Sequence, residues 1–309
     1  IAAAAGVVAA RPQSARAGAE VRREVWTRAG QAAVVDGRDA VALGALCARL
    51  AAANLAVPFY VSELERVARE GEKPPSVDES ITGRDIQSVL SPNAAAGCDN
   101  ALLRKLGLPA PTFESLEMRE GLAREREAAE ALQHRLGDDY VVIHGGPRTR
   151  PPPAVRQKVA APLAGTLDGY VLRLSNGTGR SLEIKYMFVS GDSRAADARA
   201  AAIRVPAKWH SQTQFYFPLS GEYEGILLAV VVPARPKRGS GVARQTWLPR
   251  LVAITIRRDP DWLARATPAL EKFWREREHY RTLGAADARA YLRHPAWQRC
   301  VRRKAMRAA

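Results

Sequence analysis

Apolar and polar residues alternate along two neighbouring segments, residues 166–174 and 181–186, and this pattern predicts two β-strands. The predicted turn between them, residues 175–179, reads Ser-Asn-Gly-Thr-Gly. Glycine and asparagine readily supply the positive φ angles that a hairpin loop needs, and β-branched and aromatic residues flank this loop. The two segments therefore predict a β-hairpin.

The polar face of this hairpin collects two acids and a lysine. Because successive side chains of a strand point to opposite faces, Glu183 and Lys185 share one face while Leu182 and Ile184 share the other. Pairing of the two strands can bring Asp168 beside Glu183. The pattern thus predicts that an acid, a second acid and a lysine surround one point.

Periodic patterns elsewhere predict further helices and strands. Apolar residues recur at helical spacing over residues 40–70, 115–136, 208–219 and 260–280. Short apolar runs predict strands at residues 139–144, 225–232 and 248–257. Residues 80–90 indicate a strand or turn that leads into a short helix, and residues 193–206 indicate a polar, alanine-rich connection. No internal repeat is visible.

Changes in composition predict how the chain divides. Residues 1–30 are rich in alanine and arginine, which fits an organelle transit peptide (plastid or mitochondrion) and fits a disordered extension equally well. Residues 31–75 indicate an N-terminal helical region that ends in a Gly-Glu-Lys-Pro-Pro linker. Residues 76–285 form the predicted main domain. Residues 286–309 form a basic tail, which either contacts nucleic acid or stays disordered.

The net charge favours an anionic polymer as partner. Lysine and arginine number 47 against 32 aspartates and glutamates, which gives a formal net charge of +15. A charge of this size favours nucleic acid first. A GC-rich genome, which encodes alanine and arginine freely, is the alternative explanation and requires no such partner.

The spacing of the cysteines and the length of the apolar runs argue against a disulfide-rich protein, a zinc protein and a membrane protein. The three cysteines are far apart and include no C-x-x-C pair, which argues against a disulfide framework or a zinc site and for a reducing, intracellular compartment. The longest apolar run, residues 225–234, is too short to span a bilayer and indicates a buried strand, so no membrane partner is expected.

The acid–acid–lysine pattern on the hairpin predicts a divalent metal site. Two neighbouring carboxylates need a proton or a cation between them because like charges repel at close range. Oxygen ligands suit Mg²⁺ or Mn²⁺, and a lysine such as Lys185 can orient or deprotonate a water molecule. The alternative is ordinary surface structure, since Asp168-Gly169 is a common turn pair and Glu183 can simply pair with Lys185.

Two predicted helices carry polar residues that suit such a site. Gly121 lies within the helix at residues 115–136, where glycine costs about 1 kcal/mol relative to alanine unless close approach is needed. It precedes Glu125 by one turn, so we expect this face to pack against a sheet or a ligand. Gln212 and Gln214 lie within an aromatic run, and we expect one to be a core or surface amide and the other to approach the site.

Several residues are candidates for binding phosphate. Thr82 and Gly83 precede a short predicted helix, whose first N–H groups can accept a phosphate, although simple N-capping by Thr82 is the alternative. Two basic loops are predicted to follow a nucleic-acid backbone without reading its sequence. Their candidate residues are Arg148, Arg150, Arg156, Lys158, Lys237 and Arg238.

The order of these motifs resembles the YqaJ-type viral recombinase family, which includes lambda exonuclease and the herpesvirus alkaline nucleases. Over residues 81–274 the motifs are a helix with G-x-x-x-E, a strand, a strand with D-G, a strand with E-x-K, a helix with Q-x-Q, two strands and a helix with F-W. That family belongs to the PD-(D/E)XK nucleases. The resemblance implies an α/β fold with a restriction-endonuclease-like core, a mixed central β-sheet flanked by helices.

The resemblance also implies roles for individual residues. The implied metal ligands are Asp168, Glu183, Glu125 and the backbone carbonyl of Ile184. Lys185 matches the water-activating lysine, with a pKa lowered by the cations, and Gln212 matches the active-site glutamine. The implied cofactor is Mg²⁺, with Mn²⁺ as a substitute.

Three positions depart from the family pattern. Leu167 stands where the motif has proline, which the motif tolerates. Arg84 stands where a small hydroxyl residue is expected, and it could contact phosphate instead. Residues 76–80 contain no counterpart of the arginine that grips a 5′-phosphate. Catalysis is therefore better supported than the choice of DNA end.

The function that the resemblance implies is a Mg²⁺-dependent exonuclease that digests linear duplex DNA from 5′ to 3′, of the recombination or repair type. Its implied partners are linear duplex DNA, the single-stranded product, a single-strand annealing protein and further copies of the chain. A structure-selective endonuclease could use the same site with an open groove. A non-catalytic nucleic-acid-binding module would leave the intact acidic and lysine motif unexplained.

Overall fold

The computed structural model places part of the chain in a mixed β-sheet with helices on both faces. It describes residues 20–27, 32–73, 76–90, 101–102, 104–107, 116–190, 192–233 and 249–282. Two basic candidates therefore lie outside the described residues, Lys237 and Arg238. The predicted tail at residues 286–309 also lies outside them.

The strands lie side by side in the order β1-β7-β6-β5-β4-β3-β2. In chain order they are β1 (Glu20–Thr27), β2 (Val35–Asp36), β3 (Tyr140–His144), β4 (Gly169–Arg173), β5 (Gly179–Val189), β6 (Glu224–Pro233) and β7 (Arg250–Arg257). β5 pairs parallel with β6 and β2 with β3, whereas the other neighbours are antiparallel. The predicted α/β fold with a mixed sheet is confirmed.

Helices cover both faces of this sheet. They are α1 (Ala40–Ala52), α2 (Phe59–Glu70), α3 (Gly83–Leu90), α4 (Leu116–Leu136), α5 (Pro153–Arg156), α6 (Ser193–Ala202), α7 (Ala207–Ser220) and α8 (Trp262–Thr282). Among the described helices, none combines the length and the apolar character needed to cross a membrane.

The alternation of side chains along the strands separates two apolar layers. On one face, Leu182 and Ile184 of β5 pack with Ala129 and Leu132 of α4. On the other face, α1, α2, α3, α7 and α8 share a core with residues of β3 and β4. The rings of Tyr60 in α2 and Tyr170 in β4 lie 5.3 Å apart between centroids. The predicted N-terminal helical region thus shares its core with the sheet.

The structure differs from the predicted elements in two places. Residues 20–27 form β1 at the sheet edge, so these residues are not a disordered extension, while the targeting alternative stays a prediction. Their mixture of charged and apolar residues suits an exposed edge strand. Residues 193–202 form α6, where Asp192 accepts hydrogen bonds from the N–H groups of Arg194 and Ala195. Only alanines of α6 are buried, which explains why it shows no stripe of large apolar residues.

Candidate active site

The predicted hairpin brings Asp168 and Glu183 together. β4 and β5 pair antiparallel with Gly169 opposite Leu182, so the preceding Asp168 lies next to Glu183. The Oδ2 atom of Asp168 accepts a hydrogen bond of 2.8 Å from the backbone N–H of Ile184. This bond fixes the aspartate beside β5 and orients its carboxylate toward the acidic face of the strand.

Lys185 places a positive charge beside the carboxylates of Asp168 and Glu183. Its ammonium group donates a hydrogen bond to Oε1 of Glu183 and lies 4.0 Å from Oδ2 of Asp168. Glu183 is only 1% exposed, and its Oε2 atom has no hydrogen-bond partner among the described residues. A buried carboxylate oxygen without a partner is costly, so this position favours a further cation or proton.

Glu125 approaches the same cluster from α4. The Tyr186 hydroxyl of β5 donates a 2.6 Å hydrogen bond to the carbonyl of Arg124 and so fastens the helix to the strand. Gly121, one turn earlier, is buried against the ring of Tyr186, and an added Cβ there would lie 3.5 Å from Cδ2. The glycine-bearing face of the helix thus packs against the sheet, which confirms that prediction.

Burial and mutual repulsion raise the pKa values of the two glutamates. Burial, followed by the charge of Asp168, raises the pKa of Glu183 to about 8 against the opposing effect of Lys185. The same causes raise the pKa of Glu125 to about 8. For Lys185, burial lowers the pKa, but Glu183, Asp168 and Glu125 together outweigh it and raise the pKa to about 12. The lowering expected for this lysine therefore depends on a bound cation and stays a prediction.

The residues of this cluster fit a divalent cation chemically. Asp168, Glu183 and Glu125 offer carboxylate oxygens, and they interact with one ammonium group, that of Lys185. Carboxylate and carbonyl oxygens are the ligands that Mg²⁺ and Mn²⁺ prefer. Within the described residues, however, no three aspartate, glutamate, histidine or cysteine side chains lie close enough to form a complete metal site. Binding of a cation by this cluster therefore stays a prediction.

The raised pKa values predict how the stability of the metal-free chain depends on pH. Glu125 and Glu183 take up protons more readily when folded than at their ordinary pKa of 4.5. Their stabilising effect is complete below about 4.5 and is lost as the pH rises toward 8. We expect the thermal midpoint, measured with a chelator present, to fall over this range.

Added Mg²⁺ should oppose this fall, and more strongly at pH 8 than at pH 6, because the metal competes with protons for the same oxygens. A thermal midpoint that Mg²⁺ leaves unchanged at pH 8 would contradict the metal site.

The two glutamines of α7 have different environments. Gln214 is buried; its amide nitrogen donates to the carbonyl of Arg257 at 2.8 Å, and its amide oxygen accepts from the N–H of Asp259 at 2.9 Å. Gln212 is half-buried, and its amide nitrogen donates to the hydroxyl of Tyr216 at 3.1 Å. Gln214 is thus the core amide of the pair. Gln212 keeps its predicted active-site role as a prediction.

Thr82 directly precedes α3. Its backbone N–H and its hydroxyl both donate to Oδ2 of Asp85, at 2.9 and 2.7 Å. Asp85 is buried and also pairs with Lys105 at 2.7 Å and with Arg104 at 3.3 Å. The Thr82 hydroxyl proton is therefore already used, while the phosphate contact and the alternative of N-capping by Thr82 both stay predictions. Arg84 is exposed at the start of the same helix, and its phosphate contact stays a prediction.

Most of the described basic candidates line a single cleft. This cleft has a volume of about 480 Å³ and lies between α2 and the segment around α5. Its predicted basic residues are Arg148, Arg150 and Arg156. Arg150 and Arg156 also line a second cleft beside the first. Lys158 is exposed on the chain after α5, outside both linings.

Sequence reasoning missed Tyr216, whose hydroxyl is the partner of Gln212. An aromatic residue in an apolar run is typical of a core position, and Tyr216 is indeed only 5% exposed. The available signal was the spacing of four residues, which places both side chains on one face of a helix. The signal was too common to single out this tyrosine.

No protein-family model matches the chain, and neither does any curated protein sequence. Solved structures to which it is similar include an alkaline exonuclease (LHK-Exo) from Laribacter hongkongensis, with 14% identity and a TM-score of 0.45 over 67% of this chain and 94% of that chain. The structure of LHK-Exo in complex with dAMP has 14% identity and a TM-score of 0.44, over 66% of this chain and 90% of that chain. A phage-related exonuclease from Haemophilus somnus 129PT has 12% identity and a TM-score of 0.47, over 66% of this chain and 95% of that chain. These three similarities are to exonucleases, all at low sequence identity.

Proposed function

We propose that the chain is a divalent-metal-dependent deoxyribonuclease, an exonuclease that hydrolyses phosphodiester bonds of linear duplex DNA from the 5′ end. The observation that carries this proposal is the cluster of Asp168, Glu183 and Lys185 on the hairpin. Glu125 interacts with it from α4. The high positive charge of the chain supports an anionic polymer as the substrate.

Each residue of the cluster has a task in this proposal. Asp168, Glu183, Glu125 and the carbonyl of Ile184 would hold Mg²⁺ or Mn²⁺, which would stabilise charge on the phosphate and favour ionisation of a water molecule. Lys185 would orient that water or take up its proton at Nζ. Since the carboxylates alone hold the lysine protonated, proton uptake requires the cation to offset their charge.

The cleft lined by Arg148, Arg150 and Arg156 would bind the DNA backbone. Arg150 and Arg156 line both clefts, and each guanidinium group can bind phosphate through two hydrogen bonds. We expect the double substitution Arg150→Glu and Arg156→Glu to weaken DNA binding by about tenfold or more, and to reduce the salt dependence of binding, because phosphate contacts release counterions. Fluorescence anisotropy with labelled duplex at several salt concentrations measures both effects.

A matched control for this prediction is Arg199→Glu, at an exposed position of α6 that lines neither cleft. It also reverses one positive charge and should change affinity far less. The single variants Arg150→Glu and Arg156→Glu change the net charge by the same amount as this control. If all three lost the same affinity for DNA, net charge, and not the cleft, would determine binding.

The proposed reaction is tested with linear and covalently closed circular duplex DNA of the same sequence, incubated with the chain and Mg²⁺. We expect loss of the linear DNA alone, with early release of a label placed at the 5′ end and late release of one placed at the 3′ end. Early release of the 3′ label would reverse the proposed polarity. Cutting of the circle would replace the exonuclease with a structure-selective endonuclease.

The biological setting follows from the same proposal. Digestion of one strand from an end leaves a single-stranded tail, which is the substrate of recombination and of several repair reactions. We propose a role of this kind, with a single-strand annealing protein as partner and a homo-oligomeric enzyme, on the family resemblance stated above. Size-exclusion chromatography with light scattering measures the oligomeric state directly.

A further inference from the structure

Tyr216 occupies a space in the core that two glycines create. An added Cβ at Gly83, the first residue of α3, would lie 2.5 Å from the tyrosine hydroxyl oxygen. An added Cβ at Gly165 would lie 3.1 Å from its Cε1 atom. The first distance is too short for a normal contact and the second is tight, so a larger residue at either position would press against the ring. The ring therefore joins α7 to the start of α3 and to the segment that leads into Asp168.

The hydroxyl of Tyr216 faces polar groups of the proposed active site. It accepts the hydrogen bond from Gln212 and makes no other within the described part of the chain. Burial, followed by the charges of Glu183 and Asp168, raises the pKa of Tyr216. The ring packs against Gly165 in the segment that leads into Asp168, and the hydroxyl proton remains available to a group bound there.

We infer that Tyr216 is a positioning residue for the proposed nuclease reaction: it holds the side chain of Gln212 toward the acidic cluster through its hydroxyl and ties that orientation to the start of α3. This inference rests on the proposed function. Gln212 is half-buried and would otherwise choose among several rotamers, so the hydroxyl reduces the entropy lost when the glutamine contacts DNA or a bound water.

A second buried tyrosine, Tyr170, has a hydroxyl whose partner lies outside the acidic cluster. The hydroxyl of Tyr170 bonds to Glu222, in the turn between α7 and β6, and not to any residue of the acidic cluster. Loss of this hydroxyl should affect stability alone. Tyr170→Phe is thus a control of the same residue type, burial and chemical change.

The test is Tyr216→Phe, which keeps the ring in place and removes only the hydroxyl. With linear duplex DNA and Mg²⁺ we expect kcat to fall about 10- to 100-fold, with KM changed less than threefold, since small errors in the position of reacting groups have effects of this size. Tyr170→Phe should keep kcat within about twofold of the native value. Thermal midpoints of both variants report whether the fold is retained.

A double-mutant cycle distinguishes positioning of Gln212 from a separate role. If Tyr216 acts through Gln212, Gln212→Ala combined with Tyr216→Phe should be no slower than Gln212→Ala alone. The inference would be overturned if the double variant lost kcat by the product of the two single losses. It would also be overturned if Tyr216→Phe kept the native kcat. An inactive native chain would instead refute the proposed function, so the two failures are distinguishable.

Discussion

Replacement of Lys185 with alanine is expected to slow DNA hydrolysis by about 10²- to 10⁴-fold, the range typical for loss of a general acid or base. The ammonium group of Lys185 forms ion pairs with both Glu183 and Asp168. Initial rates of nucleotide release from linear duplex DNA with saturating Mg²⁺ measure the loss. The structure of the sheet should persist, since the side chain is at the site and not in an apolar layer.

Two companion variants make this prediction specific. Lys185→Arg keeps the positive charge but cannot give up its proton, so we expect it to remain at least about tenfold slower than the native chain. Lys208→Ala removes an exposed lysine at the start of α7 and should leave the rate unchanged. A Lys185→Ala variant that retains most of the native rate would show that this lysine has no role in proton transfer.

Replacement of Glu183 with glutamine should affect DNA hydrolysis, stabilisation by Mg²⁺ and the pH dependence of stability. The amide cannot ionise and is a poor ligand for Mg²⁺, so we expect hydrolysis to fall by at least about a hundredfold, and the increase in thermal midpoint with Mg²⁺ to be lost. The decrease in stability between pH 4.5 and pH 8 should become shallower, because one of the two carboxylates with a raised pKa is gone. Thermal unfolding with chelator and with Mg²⁺ measures the last two effects.

A suitable control is Glu130→Gln, on the same helix as Glu125. Glu130 pairs at the surface with Arg126 at 3.1 Å, and exposed pairs of this kind contribute about 0–1 kcal/mol. Its activity, its response to Mg²⁺ and its pH dependence should match those of the native chain. A Glu183→Gln variant that still gains stability from Mg²⁺ would place the cation elsewhere.

The hairpin and its polar face could be predicted because the information is local. Alternation fixes which side chains share a face, and the glycine-rich loop fixes the register that puts Asp168 beside Glu183. Glu125 was predicted from its motif and not from geometry. Its approach depends on the bond between Tyr186 and the carbonyl of Arg124, which joins residues 62 positions apart in the chain.

The parts that could not be predicted depend on contacts between distant residues. The spacing at Thr82 predicts phosphate binding or helix capping, whereas its hydroxyl donates to Asp85, whose carboxylate pairs with Lys105. β1 carries too few apolar residues to indicate a strand, and it is defined by its pairing with β7. The pKa of Lys185 depends on how deeply the lysine is buried and on the charges of three carboxylates around it, which periodicity does not reveal.

The most direct test of the proposed site is release of acid-soluble nucleotides from linear duplex DNA by the native chain, measured with Mg²⁺, with Mn²⁺ and with chelator. We expect release with either metal and none with chelator. Release that persists with chelator would exclude a metal-dependent reaction at Asp168 and Glu183. No release with either metal would contradict a nuclease altogether and leave a protein that binds nucleic acid without cutting it.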